Sequence, residues 1–116
     1  MTEHPFRATD VDVTPESVQT RPGDVQLVDV REPYEWDAGR IEGARHIELE
    51  RLASEADTLD RDRPLILYCR LGARSGMAAT AFRRAGFDAY SMVGGLERWA
   101  AEGRPLAPED GTVAPH

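Results

Sequence analysis

The chain has 116 residues, 41% of them hydrophobic and 30% charged, with a formal net charge of −7. This is globular composition, and the length holds one domain with a modest core. The acidic balance disfavours general nucleic-acid binding, and no apolar run approaches the roughly 20 residues that span a bilayer.

Residues 1–9 carry no periodicity and are expected to form a mobile arm. Met1-Thr2-Glu3-His4-Pro5 has neither the basic flank nor the apolar run of a secretory leader, so a cytoplasmic protein is expected. Asp10-Val11-Asp12-Val13 alternates and reads as a short strand. Thr14-Pro15-Glu16-Ser17 opens a helix, with Thr14 as N-cap and Pro15 at the first position. Arg21-Pro22-Gly23-Asp24 is a turn that keeps this helix short.

Val25 to Val30 is a β-branched, mostly apolar run that suits a central strand. Arg31-Glu32-Pro33 breaks it, and Tyr34 to Ala38 predicts one helical turn ended by Gly39. Ile41-Glu42-Gly43-Ala44 is turn-like, and Arg45 to Leu49 predicts a short strand. Leu52, Ala56 and Leu59 at helical spacing predict an amphipathic helix over residues 50–59. Leu65 to Tyr68 is a second buried strand, ending at Cys69. Ala78, Ala81, Phe82 and Ala85 trace one face of a helix over 75–85, with Gly86 as its stop. Ala89 to Val93 predicts a strand, and Gly94-Gly95 leads into a helix over 96–101. Trp36 and Trp99 read as packing residues. The domain is expected to span residues 10–106, with 107–116 as a loose tail. Alternating strands and helices argue for an α/β sandwich around a mainly parallel sheet, whose ligands bind at the carboxyl ends of strands. Cys69 and Asp29 sit at such ends.

Cys69 is the only cysteine, which excludes an internal disulfide and a Cys-only metal site; His4, His46 and His116 show no metal-ligand spacing. Cys69 leads a short loop, Arg70-Leu71-Gly72-Ala73-Arg74-Ser75. Around Gly72 the backbone N–H groups can curl into an anion-binding nest. The helix that follows adds the positive end of its dipole, and Arg70 and Arg74 add full charges. Such a setting stabilises a thiolate, a bound anion or a persulfide on the same sulfur. A lone cysteine at a strand end is otherwise often inert packing.

Cys69-x-x-Gly72-x-Arg74-Ser75 resembles the active-site loop of rhodanese-like sulfurtransferases. Val28-Asp29-Val30-Arg31-Glu32 with Glu35-Trp36 is similar to the family's Asp-x-Arg segment, and Gly39-Arg40-Ile41-Glu42-Gly43-Ala44 to its Gly-His-Ile-x-Gly-Ala turn. Gly94-Gly95-Leu96 with Trp99 and Gly103-x-Pro105 resembles its last helix, and Thr14-Pro15-Glu16 a common opening. Two departures stand out: Arg40 replaces the usual His, and Arg45-His46-Ile47-Glu48 replaces a more usual Asn-Ile-Pro.

The resemblance implies a three-layer sandwich with a five-stranded, mainly parallel sheet. It implies Cys69 as nucleophile, loaded by a small anionic sulfur donor such as thiosulfate and emptied by cyanide, a thiol or an acceptor protein. Neither metal nor organic cofactor is implied, and a monomer or weak homodimer is expected. Arg70 and Arg74 hold the donor, or one of them only pairs with Asp29 or Glu32. Ser75 donates its hydroxyl to the bound sulfur, or is a plain N-cap. Asp29 props the loop by accepting N–H bonds, or is a strand-end turn residue, and Arg31 pairs structurally with a carboxylate in preference to contacting substrate. Two rivals remain at this level: a persulfide carrier or docking module with little turnover, and a cysteine-dependent phosphatase or arsenate reductase. The second uses a longer Cys-x5-Arg loop, and here the sixth residue after Cys69 is Ser75, so the loop is one residue short.

Overall fold

The computed structural model describes residues 10–116; the arm expected over 1–9 lies outside the described residues. Five strands, β1 (Asp12–Val13), β2 (Gln26–Asp29), β3 (Arg45–His46), β4 (Leu65–Tyr68) and β5 (Ala89–Met92), form one sheet in the order β1-β5-β4-β2-β3. Every pairing in it is parallel. Helices α1 (Pro15–Gln19), α2 (Pro33–Ala38), α3 (Leu52–Glu55), α4 (Ala73–Arg84) and α5 (Gly95–Ala101) connect the strands.

Local chemistry accounts for most of these boundaries. Thr14 Oγ1 accepts the Ser17 N–H at 3.2 Å and caps α1, with Pro15 in its first turn. At α2, Glu32 and Glu35 form a reciprocal capping box that encloses Pro33 at the first helical position.

The central strand β4 sets the layers. Leu65, Leu67 and Cys69 pack with Leu52, Ala78, Ala79 and Phe82, beneath α3 and α4. Ile66 and Tyr68 alternate to the other face, with Val18, Leu96 and Trp99 of α1 and α5. All four strand residues are fully buried, each aliphatic one adding about 1.5–3 kcal/mol by leaving water. A one-residue slip of β4 would turn Cys69 away from α4, so core packing itself aims the sulfur.

Three local expectations differ from the structure. Residues 50–59 do not form one helix: 3₁₀ turns at Leu49–Arg51 and Ala56–Thr58 flank the single α-turn of α3. Leu52 and Leu59 are still buried, but the Ser54 and Thr58 hydroxyls bond the Arg51 and Glu55 carbonyls and compete with a regular helix. Helix α4 begins two residues before the expected Ser75.

The third difference is the segment 107–116, expected as a loose tail. Arg40 and Ala107 exchange both backbone hydrogen bonds, at 2.9 and 2.7 Å. Thr112 N–H donates to the Ala38 carbonyl at 2.8 Å, and Val113 packs on the α1/α5 side of the core. These bonds satisfy backbone groups around the end of α2 that its own helix leaves unpaired.

Candidate active site

Cys69 follows β4 at the carboxyl edge of the sheet and is buried. The chain turns at Gly72, whose φ of 109° lies in the left-handed region that glycine adopts without strain. That turn brings the Gly72 N–H to 3.1 Å from Cys69 Sγ. The bond from Gly76 N–H to the Gly72 carbonyl, at 2.9 Å, then closes the first turn of α4. The head of α4 is thereby folded over the sulfur.

Helix α5 braces the loop from behind. Leu96 N–H donates to the Cys69 carbonyl at 2.8 Å, and Glu97 N–H to the Arg70 carbonyl at 3.0 Å. A Cβ on Gly95 would lie 2.3 Å from the Arg70 carbonyl oxygen, so only glycine admits this close approach.

Burial pushes the Cys69 thiol up. The Ser75 hydroxyl and the backbone amides of Ser75, Gly72 and Leu71 outweigh it, and the thiol lies below its ordinary value. Cys69, Arg70, Leu71, Ala73, Arg74 and His116 line a cavity of about 290 Å³ above the sulfur.

Ser75 is not the N-cap. Gly72 holds that position, and Ser75 is the third residue of α4. Its Oγ lies 3.5 Å from Cys69 Sγ, 2.8 Å from Ser91 Oγ and 3.3 Å from the Gly72 carbonyl. Ser91 comes from β5, level with Leu67 of β4 and on the same sheet face as Cys69.

Both loop arginines meet carboxylates other than the expected Asp29 or Glu32. Arg74 donates to both oxygens of Glu35, at 2.8 and 3.0 Å, and the Glu35 side chain is fully buried. Arg70 pairs with Glu97 at 3.0 Å on a more exposed edge, and its buried Nε has no hydrogen-bond partner among the described residues.

Asp29 does not prop the cysteine loop. Its carboxylate accepts the Arg31 backbone N–H at 2.9 Å and the Arg31 guanidinium at 2.7 to 3.1 Å. Arg31 also donates to the Gly39 carbonyl at 2.6 Å. The pair is fully buried and joins the end of β2 to the turn after α2. Arg31 therefore stands in a carboxylate pair, away from the residues that line the cavity.

The two departures from the family pattern meet on one ring. Arg40 lies over Trp36 at 4.8 Å, and His46 stacks on Trp36 at 5.0 Å with 12° between the planes. A His46 ring nitrogen lies 2.7 Å from the Arg31 carbonyl oxygen. The substitutions belong to one stack flanking β2.

Sequence reasoning missed Glu35, Ser91 and His116 as neighbours of this site. Ser91 had a signal, a hydroxyl within an otherwise apolar strand. Glu35 had its place in the segment similar to the family's Asp-x-Arg stretch and in the capping box, and His116 had no signal. Glu32, Glu35 and His116 lie within 4.8 Å of one another, but Arg74 occupies the Glu35 carboxylate, so the trio is an ion-pair cluster and not a metal site. No helix among the described residues is long and apolar enough to cross a membrane.

Comparison with known proteins agrees with this geometry. The family model described as "Rhodanese-like domain" matches residues 14–102. The chain is 40% identical over 89 residues to the thiosulfate sulfurtransferase GlpE of Pseudomonas aeruginosa, covering 75% of this chain and 81% of GlpE. It is 41% identical over 78 residues to the uncharacterized protein YqhL of Bacillus subtilis, covering 66% of this chain and 62% of that one. Among solved structures, a rhodanese-related protein from Thermoplasma volcanium superposes with a TM-score of 0.78 at 26% identity, covering 83% of this chain and 96% of that one. Motif order, sheet topology and matched length agree, and the chain belongs to the rhodanese-like domain family.

Proposed function

We propose that this protein is a sulfurtransferase that carries sulfane sulfur on Cys69, from a thiosulfate-like anionic donor to cyanide or an acceptor thiol. The observation that carries this reading is the convergence of the Gly72 amide and the Ser75 hydroxyl on one sulfur, beneath a cavity edged by Arg70 and Arg74. The name of its relative GlpE supports the same chemistry.

The Cys69 thiolate attacks the outer sulfur of thiosulfate. The donor's S–S bond breaks, and sulfite leaves with the bonding pair. The persulfide anion on Cys69 takes up the loop's N–H donors, which already face that sulfur. Cyanide then attacks the outer sulfur and leaves as thiocyanate, with the Cys69 thiolate restored. These are two half-reactions through a covalent intermediate. No second cysteine is present to displace the persulfide as an internal disulfide, so the sulfur goes to another molecule.

The loop's length favours this reading over phosphate-ester chemistry. Arg74 is the fifth residue after Cys69 and Ser75 the sixth, one residue short of the Cys-x5-Arg loop. A reducing compartment suits a lone nucleophilic thiol, in keeping with a cytoplasmic site of action. Incubation with thiosulfate is expected to add one sulfur, about 32 Da, which cyanide removes. Intact-mass spectra that show no adduct, or an adduct that survives Cys69→Ala, overturn the proposal.

A further inference from the structure

The cavity above Cys69 has a wall that the cysteine loop does not supply. His116 lines it, together with Arg70, Leu71, Ala73 and Arg74. Successive anchors along residues 107–116 carry it there. Ala107 pairs with Arg40, Thr112 N–H bonds the Ala38 carbonyl, and the Tyr34 hydroxyl donates to the Pro115 carbonyl at 3.1 Å. Gly39 has no side chain where Thr112 crosses it; a Cβ there would lie 2.3 Å from the Thr112 carbonyl oxygen. The strap thus has a fixed path along α2 to the mouth of the site.

The imidazole also has a carboxylate beside it. His116 Nε2 lies 3.2 Å from Glu32 Oε2. A carboxylate at this distance attracts an imidazole that has taken up a proton. Other charged groups around it are Glu35 on α2, Arg74 on α4, and Arg70 and Cys69 on the loop. Glu35 and Arg74 neutralise one another, as do Arg70 and Glu97. Among the residues lining the cavity, His116 carries the one imidazole, a side chain that can take up and release a proton through a ring nitrogen.

The two half-reactions differ in their proton demand. Thiosulfate arrives as an anion and needs no base. An acceptor thiol, with an ordinary pKa of about 8.5, arrives mostly protonated at neutral pH. We infer that His116, strapped to α2 and flanked by Glu32, takes the proton from an acceptor thiol as that thiol attacks the Cys69 persulfide. The S–H bond breaks to the imidazole, and the thiol sulfur bonds to the outer sulfur of the persulfide. The persulfide S–S bond then breaks, with its electron pair returning to Cys69. The products are a persulfidated acceptor, the Cys69 thiolate and an imidazolium that passes its proton to water. This inference rests on the sulfurtransferase reading and deepens its second step.

The test separates the steps. Each protein is loaded with thiosulfate, and persulfide formation and its discharge to glutathione are timed by intact mass. His116→Ala is expected to load at the wild-type rate and to discharge about ten- to a hundredfold more slowly at pH 7. That deficit should close above the thiol's own pKa, near pH 9, where no base is needed. His116→Gln, which keeps a polar side chain of similar size at the cavity but cannot take up a proton, should be as slow as alanine. Tyr34→Phe, which frees the strap near Pro115, should show a smaller deficit of the same kind. Unchanged discharge in His116→Ala, a deficit that persists undiminished at high pH, or full rescue by glutamine overturns the inference. Failure of the wild-type protein to load would instead overturn the sulfurtransferase reading.

Discussion

The ends of β2 and β4 lie side by side at the same edge of the sheet, with Asp29 level with Tyr68, yet they use their polar groups in opposite ways. At the end of β2, the Asp29 carboxylate and the Arg31 guanidinium close on each other, fully buried. At the end of β4, amide and hydroxyl donors converge on Cys69 Sγ beneath an open cavity. One end spends its charge on holding the fold. The other leaves a sulfur facing donors beneath a cavity. A strand end in a parallel sheet is a structural joint when donor and acceptor satisfy each other, and stays open to a ligand when its donors converge on one atom.

Breaking the closed end should produce the largest effect on stability. Asp29→Ala leaves Arg31 buried without its carboxylate, and a loss of about 3–5 kcal/mol is expected in denaturant titration. Cys69 alkylation in the protein that still folds should stay close to wild type. A large change in thiol reactivity would show that the two ends are coupled.

The Arg74–Glu35 pair comes next, because it belongs partly to both ends. Arg74→Ala strands a buried carboxylate, for an expected loss of about 2–3 kcal/mol after allowance for the partial exposure of Arg74. Burial pushes the Glu35 carboxyl up, but the bonds from Arg74 and from the Glu32 backbone N–H hold it below its ordinary value. Its contribution to stability is therefore complete above the unfolded value of about 4.3, and is lost as pH falls through the lower folded value. In Arg74→Ala, burial dominates and the sign reverses: acidification through the carboxyl's raised range should stabilise the variant relative to neutral pH. Melting curves at pH 7, 5 and 3 check both directions.

Ser75→Ala should have the smallest effect and sharpens the open end. It removes one of several donors to Cys69, while the Gly72, Leu71 and Ser75 amides stay in place. The thiol should rise by less than about one pKa unit, read from the pH profile of alkylation by iodoacetamide. A rise of more than about two units would mean that the hydroxyl, and not the amides, holds the thiolate.

Much of this site was legible along the chain. The apolar run Leu65–Tyr68, the turn at Gly72 and the helix after it are local features, and together they place Cys69 under the head of α4. Helix α4 nevertheless starts at Ala73, so Ser75 faces inward to the sulfur instead of capping the helix. The tail offered no periodicity, and its order comes from backbone bonds to Ala38 and Arg40, which no side-chain pattern records.

The sequence by itself determined the alternation of strands and helices, the parallel sheet, and the position of the only cysteine at a strand end. Periodicity, caps and turn residues act over a few positions and can be read without a partner. The tertiary structure alone decided that Arg74 meets Glu35 across 39 residues, that Arg70 meets Glu97, that Ser91 completes the hydroxyl pair, and that His116 reaches the cavity. Each of these depends on how α2, α4, α5 and the strap dock against the sheet. A charge or a hydroxyl carries no local mark of the partner that docking brings to it.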